Sequence, residues 1–169
     1  IAVSGGLEVA SDRLSELMKK GVTVAQVAQV CDNFTKAGIM VHAYLMYGFP
    51  TQTAQETINS LEMVRQLFEL GIVQSGFWHR LAMTSHSPIG LEPHVYGVER
   101  IGPNFGGFAD NDLWHNDPKG ANHDLFGEGL RKSLFNYMHG VCFEFPLQDW
   151  FDFDIPDTTV SPQFIEFAL

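Results

Sequence analysis

Nine residues constrain this chain more than any others: Ile39-Met-Val-His-Ala-Tyr-Leu-Met-Tyr47, a nearly continuous apolar run held between Gly38 and the break Gly48-Phe49-Pro50. So short a run, bounded by glycine on both sides, predicts a strand buried on both faces of a parallel sheet. On that reading His42, in its middle, is a satisfied core residue.

Helical signals flank the run. Ser11 to Lys20 carries Leu14, Leu17 and Met18 at helical spacing, ends in two lysines and is stopped by Gly21. Thr23-Val-Ala-Gln26 is a capping box, opening a helix with Val24, Val27, Ala28, Cys31 and Phe34 on one side. A second capping box, Thr53-Ala-Gln-Glu56, opens a helix that should bury Ile58, Leu61, Val64, Leu67 and Phe68 before Gly71 ends it. With a first strand near Ile1 and another from about Val73 to Met83, the order is strand, helix pair, strand, helix, strand. That alternation predicts a parallel α/β sheet or barrel. Helices on one side would leave the other sheet face uncovered, an open apolar concavity with a raw edge.

Beyond Pro88 the pattern changes. Residues 89–124 are rich in Gly, Asn, Asp, Pro and His and predict a long loop region with a short strand at His94–Ile101. Helix returns at Glu128–His139. The aromatic, acidic tail that follows suits core or interface better than a stacking platform.

Charge narrows the function classes. Ten Lys and Arg against twenty Asp and Glu give a net charge of −10, so the electrostatic footprint for nucleic acid or an anionic membrane is missing. No apolar stretch reaches the roughly 18 residues of a membrane span. Cys31 and Cys142 make no CxxC pair and read as packing residues in a reducing, cytoplasmic setting. The chain opens on Ile1-Ala-Val-Ser-Gly-Gly, as though inside a strand, and is expected to be a piece of a longer protein.

Three features could carry chemistry. Gly48-Phe-Pro-Thr-Gln-Thr53 sits where a strand gives way to a helix, the edge at which α/β sheets bind ligands, although a plain tight turn would look the same. Glu8 ends the first strand on that edge; it can accept hydrogen bonds from a ligand or complement the next helix dipole. Lys20 has the ordinary role of a cation at a helix C-terminus. The seven histidines show no HxxxH or HExxH spacing. His115 and His123 with Asp110, Asp112 and Asp117 read as loop polarity rather than a metal set.

Taken in order, Gly6-Leu-Glu-Val-Ala-Ser-Asp-Arg13, Leu17-Met-Lys-Lys-Gly21, Ala37 through Pro50 and Ser85-His-Ser-Pro88 resemble the second half of radical S-adenosylmethionine enzymes, closest to the subgroup with a cobalamin-binding domain. The stretch from Asn136 to Phe153 is similar, more weakly, to that subgroup's C-terminal extension. The resemblance implies a partial TIM-like barrel over residues 1–88, here about three parallel strands with outer helices, and an irregular and helical extension over 89–169. It implies a 4Fe-4S cluster held by CxxxCxxC, S-adenosylmethionine on that cluster, and radical chemistry on an unknown substrate, with cobalamin a possible further cofactor. By position, Glu8 resembles the residue facing the methionyl or ribose part, and Lys20 the partner of the methionine carboxylate. Tyr44 and Met46 resemble the positions near ribose and adenine, Gly48 the strand-end glycine, and Leu81 to Met83 the segment bordering adenine. Val9 and Tyr44 depart from the usual pattern at ribose contacts. CxxxCxxC is absent, so this stretch alone is expected to be inactive, to need the missing N-terminal half of its barrel, and to form a homodimer. Two other readings stand beside this one: a non-catalytic interaction module docking through its aromatic tail, and a barrel fragment with acid–base chemistry at Glu8 and a histidine.

Overall fold

The computed structural model describes residues 1–103 and 111–169. Strand β1 (Ala2–Glu8) leads through α1 (Asp12–Leu17) and α2 (Val24–Lys36) to β2 (Met40–Tyr47), then through α3 (Ala54–Glu69) to β3 (Ser75–Arg80). The three strands form one parallel sheet in the order β1-β2-β3. This is the α/β alternation expected, and the sheet does not close into a barrel.

Both capping boxes are formed. The hydroxyls of Thr23 and Thr53 accept from the amides of Gln26 and Glu56, whose side chains accept in return from the threonine amides. On α3 all five expected residues, Ile58, Leu61, Val64, Leu67 and Phe68, are buried. Each such apolar side chain contributes about 1.5–3 kcal/mol by leaving water.

The strand expected to be buried on both faces is buried on one. Val41, Ala43 and Leu45 face the helices, while His42, Tyr44 and Met46 alternate to the other side and stay partly or largely exposed. The apolar run misled because Tyr44 and Met46 count as hydrophobic yet line an open face. His42 is therefore not a core residue. Helices α2 and α3 pack with the covered face in one cluster, joined by α5 (Gly127–Met138) and α6 (Phe164–Ala168). A second cluster, with Val9, Leu14, Phe49 and Met83, gathers at the carboxyl end of the strands.

Three boundaries differ from expectation. The first helix stops at Leu17, since Lys19 takes a left-handed φ of 57°, so Lys20 lies beyond it rather than in its last turn. Strand β3 ends at Arg80, leaving Leu81 to Met83 outside the sheet. Among the described residues the loop region carries short elements: Ser87 caps a short α4 (Pro88–Leu91), a 3-10 turn follows at Pro93–Tyr96, and β4 (Glu99–Ile101) pairs antiparallel with β5 (Trp114–Asn116). Only the end of the strand expected at His94–Ile101 is extended.

The aromatic tail belongs to the core. Trp150, Phe151 and Phe153 pack with Phe126 and Tyr137, and Trp150 Nε1 donates to the Tyr137 hydroxyl at 3.2 Å. Polar groups on α3, one buried and one half-buried, hold the tail in place. Gln66 donates to the Ser161 carbonyl at 2.8 Å and accepts from the Ile165 amide at 3.0 Å, and Arg65 donates to the Phe143 carbonyl at 3.2 Å.

Candidate binding site on the open sheet face

Alternation and register place three rows on the uncovered face. Ser4, His42 and Ser75 form the first, Gly6, Tyr44 and Phe77 the second, and Met46 and His79 the third. His42 Nδ1 lies 2.8 Å from Ser75 Oγ. The Tyr44 ring stands edge-on to both His42 and Phe77, at 5.3 and 5.2 Å between centroids. Tyr44 is 41% exposed and Phe77 44%, far more than aromatics packed in a core.

An ion pair lies at the carboxyl end of this face. Lys20 Nζ donates to Glu8 Oε1 at 2.9 Å. Glu8 has a left-handed φ of 57°, and Leu7 and Glu8 together face one residue of β2, so that Glu8 is level with Leu45. The bulge folds the carboxylate back over Gly6, where any Cβ would collide with Glu8 Oε1 and come within 3.1 Å of Lys20 Nζ. Glycine at position 6 is thus what lets the pair rest on the strand. Glu8 does not complement the next helix; Ser11 caps α1, and Asp12 is the acid in its first turn.

Gly48 follows β2 three residues beyond the level of Glu8, with φ 80°. The fully buried Gln52 fixes the turn by accepting from the amides of Gly48 and Phe49 at 2.8 and 3.1 Å. Arg13 joins this turn to α1, reaching Glu56 on α3 and both the carbonyl and the hydroxyl of Thr51.

The structure thus brings Glu8, Lys20, Tyr44 and Met46 to one side of the sheet, with Gly48 at its end. Met83 stands apart, because its side chain is buried in the second cluster, and Leu81 and Met46 pack against that cluster as well. Residue reading missed the rings and polar groups of His42, Ser75, Phe77 and His79. Counting alternate positions in both strands would have found them, since one parity is apolar and the other mixed. Asp110 lies outside the described residues. Among the described residues no group of three His, Cys, Asp or Glu side chains is placed to hold a metal ion, and no helix is long and apolar enough to cross a membrane.

No protein-family model matches this chain, and no curated protein sequence matches it.

Proposed function

We propose that this chain is the C-terminal half of a radical S-adenosylmethionine barrel, supplying part of the S-adenosylmethionine pocket and a substrate-shaping extension. The observation that carries the reading is the Glu8–Lys20 pair lying over Gly6 at the carboxyl end of an open parallel sheet. A methionyl group carries a carboxylate and an ammonium on one carbon, and a neighbouring lysine and glutamate match both charges. Tyr44 and Phe77 beside them offer apolar rings to a ribose or a purine. In the complete enzyme, bound S-adenosylmethionine would be the source of a 5′-deoxyadenosyl radical; this chain would orient its methionyl end.

The residues present do not fit the cluster. Cys31 on α2 and Cys142 beyond α5 are free and stand singly, so no step through iron and sulfur is derived for this stretch. The cluster ligands would belong to the other half of the barrel, and cobalamin, if used, to a further domain. Free cysteines agree with a reducing, cytoplasmic setting.

The margin of the sheet supports a missing half. Along β1 an apolar groove opens against α2, lined by Val3, Leu7, Val22, Val27, Val30 and Phe34, the last of these 37% exposed. A further strand and helix would fill it in the full barrel. In their absence a second copy covers this margin, so light scattering at micromolar concentration should report a dimer; a monomer counts against that part of the reading.

The direct test is saturation-transfer NMR with S-adenosylmethionine. Wild-type protein should transfer saturation to the methionyl and adenine protons. Lys20→Met and Glu8→Gln should each weaken the effect several-fold. No transfer to the wild type, or transfer that neither substitution alters, overturns the proposal.

A further inference from the structure

Residues 117–126 cross the end of β2 and tuck one of their own side chains, His123, against it. His123 is 6% exposed, and its ring lies against Gly48, where an added Cβ would be 3.6 Å from His123 Cγ. Neither ring nitrogen has a hydrogen-bond partner among the described residues. Attachments to neighbouring elements hold the segment down around this ring. Asp117 Oδ2 accepts from the Thr51 amide at 2.7 Å, the Ala121 amide donates to the Gln52 carbonyl at 2.9 Å, and Asp124 pairs with Arg80 of β3. Asp117 Oδ1 also accepts from the Gly120 amide at 2.9 Å, which folds the segment over the ring.

We propose that residues 117–126 form a pH-sensitive strap over the β2–α3 turn, closed while His123 is neutral and released when it takes a proton. A neutral imidazole can be buried here at the cost of unmade hydrogen bonds; an imidazolium would also have to leave water. Among the described residues the charged and titratable groups facing it are Asp117, Arg80 and His115. Asp117 is the single anion of the three, and both its oxygens already accept from backbone amides. Arg80 and His115 repel a proton on the ring.

Burial is the main effect lowering the His123 pKa; Asp117 opposes it, and Arg80 and His115 add to it. With the closed-state pKa below that of the open chain, about 6.5, closure is fully favoured above that value. The advantage is lost as pH falls from there through the closed-state pKa. Release would uncover Gly48 and the fully buried Gln52, whose Nε2 also lacks a partner among the described residues. The strap would thereby control how rigid the strand-end turn is, whatever that turn binds.

Hydrogen exchange of the Gly120 and Ala121 amides tests this, compared at about pH 7.5 and about pH 5.5 after correction for intrinsic exchange rates. Wild-type protection should fall several-fold at the lower pH, and His123→Gln, which cannot take the proton, should show no such fall. Equal wild-type protection at both values, or a fall that persists in the variant, overturns the proposal. Should the variant fail to fold, NMR titration of the His123 ring in the wild type decides instead. A midpoint at or above that of an exposed histidine refutes the strap. Neither readout uses S-adenosylmethionine, so this inference and the proposed function can fail separately.

Discussion

Arg13 on α1 holds Glu56 on α3 through two nitrogens, Nε at 2.6 Å and Nη2 at 2.8 Å, across 43 positions of sequence. The same guanidinium donates to Thr51, so one side chain links the segments that follow β1 and β2 at the carboxyl end of the sheet. Glu56 also completes the capping box of α3. Arg13→Met should therefore lower stability by about 1 kcal/mol, the discounted value for a half-exposed bidentate pair, in urea titrations. The loss should be accompanied by faster exchange in the 48–53 turn.

The same pair predicts an acid response. Burial opposes ionisation of Glu56, but hydrogen bonds from Arg13 and from the Thr53 amide outweigh it and hold the carboxyl below its ordinary range. Its contribution is present above the unfolded pKa, about 4.3, and disappears as pH falls through the lower folded value. Glu56→Gln should be less stable than wild type at neutral pH, and the gap should narrow as pH falls below about 4.3. A gap independent of pH would show that the charge on Glu56 is not involved.

Gln66 is 2% exposed and donates to Glu62 and the Ser161 carbonyl while accepting from the Ile165 amide. Gln66→Leu fills the volume but leaves the Ser161 carbonyl and the Ile165 amide without that partner, while Glu62 keeps Arg65, and should cost about 2–3 kcal/mol. Limited proteolysis after residue 155 should speed up correspondingly, because α6 loses its tie to α3.

Gly129 is a point of close approach between α5 and the tail. A Cβ there would strike the Phe151 ring and come within 2.7 Å of the Trp150 carbonyl oxygen. Gly129→Ala should cost about 1–3 kcal/mol despite alanine's better helix propensity. Trp150 emission should shift to the red as the tail lifts. Unchanged emission would mean that the tail adjusts without losing its packing.

Cys31 reports on the groove beside β1. Burial pushes its thiol above the ordinary range, so thiolate is scarce at neutral pH. Native protein should react with a disulfide reagent more slowly than denatured protein, and dimer dissociation on dilution should speed the reaction if a second copy fills that groove.

Helices were legible in the sequence wherever local chemistry decides them. The capping boxes at Thr23 and Thr53 satisfy amide groups within one turn, and the stripe from Ile58 to Phe68 repeats with the helical period. Burial of β2 was legible only by half. Val41 and Met46 are both apolar residues of one uninterrupted run, and the helices cover only one face of the sheet, so long-range packing decides which is buried. Pairing between Lys20 and Glu8 was out of reach for a different reason. It depends on a left-handed residue and a register shift that leave no periodic trace. His123 was likewise assigned to loop polarity, because no local pattern announces burial by Gly48 across 75 positions.

The backward fold of β1 at position 8 also sets which residues can live there. Its dihedral admits glycine, asparagine and aspartate at small cost but rejects valine, isoleucine and threonine, whose branched carbons clash in that region. Side chains without a carboxylate would meanwhile leave the ammonium beside it alone. Saturation mutagenesis scored for folding should thus rank glycine and asparagine at or above the native glutamate. Under the function proposed above, the same library scored for S-adenosylmethionine binding should reverse that order.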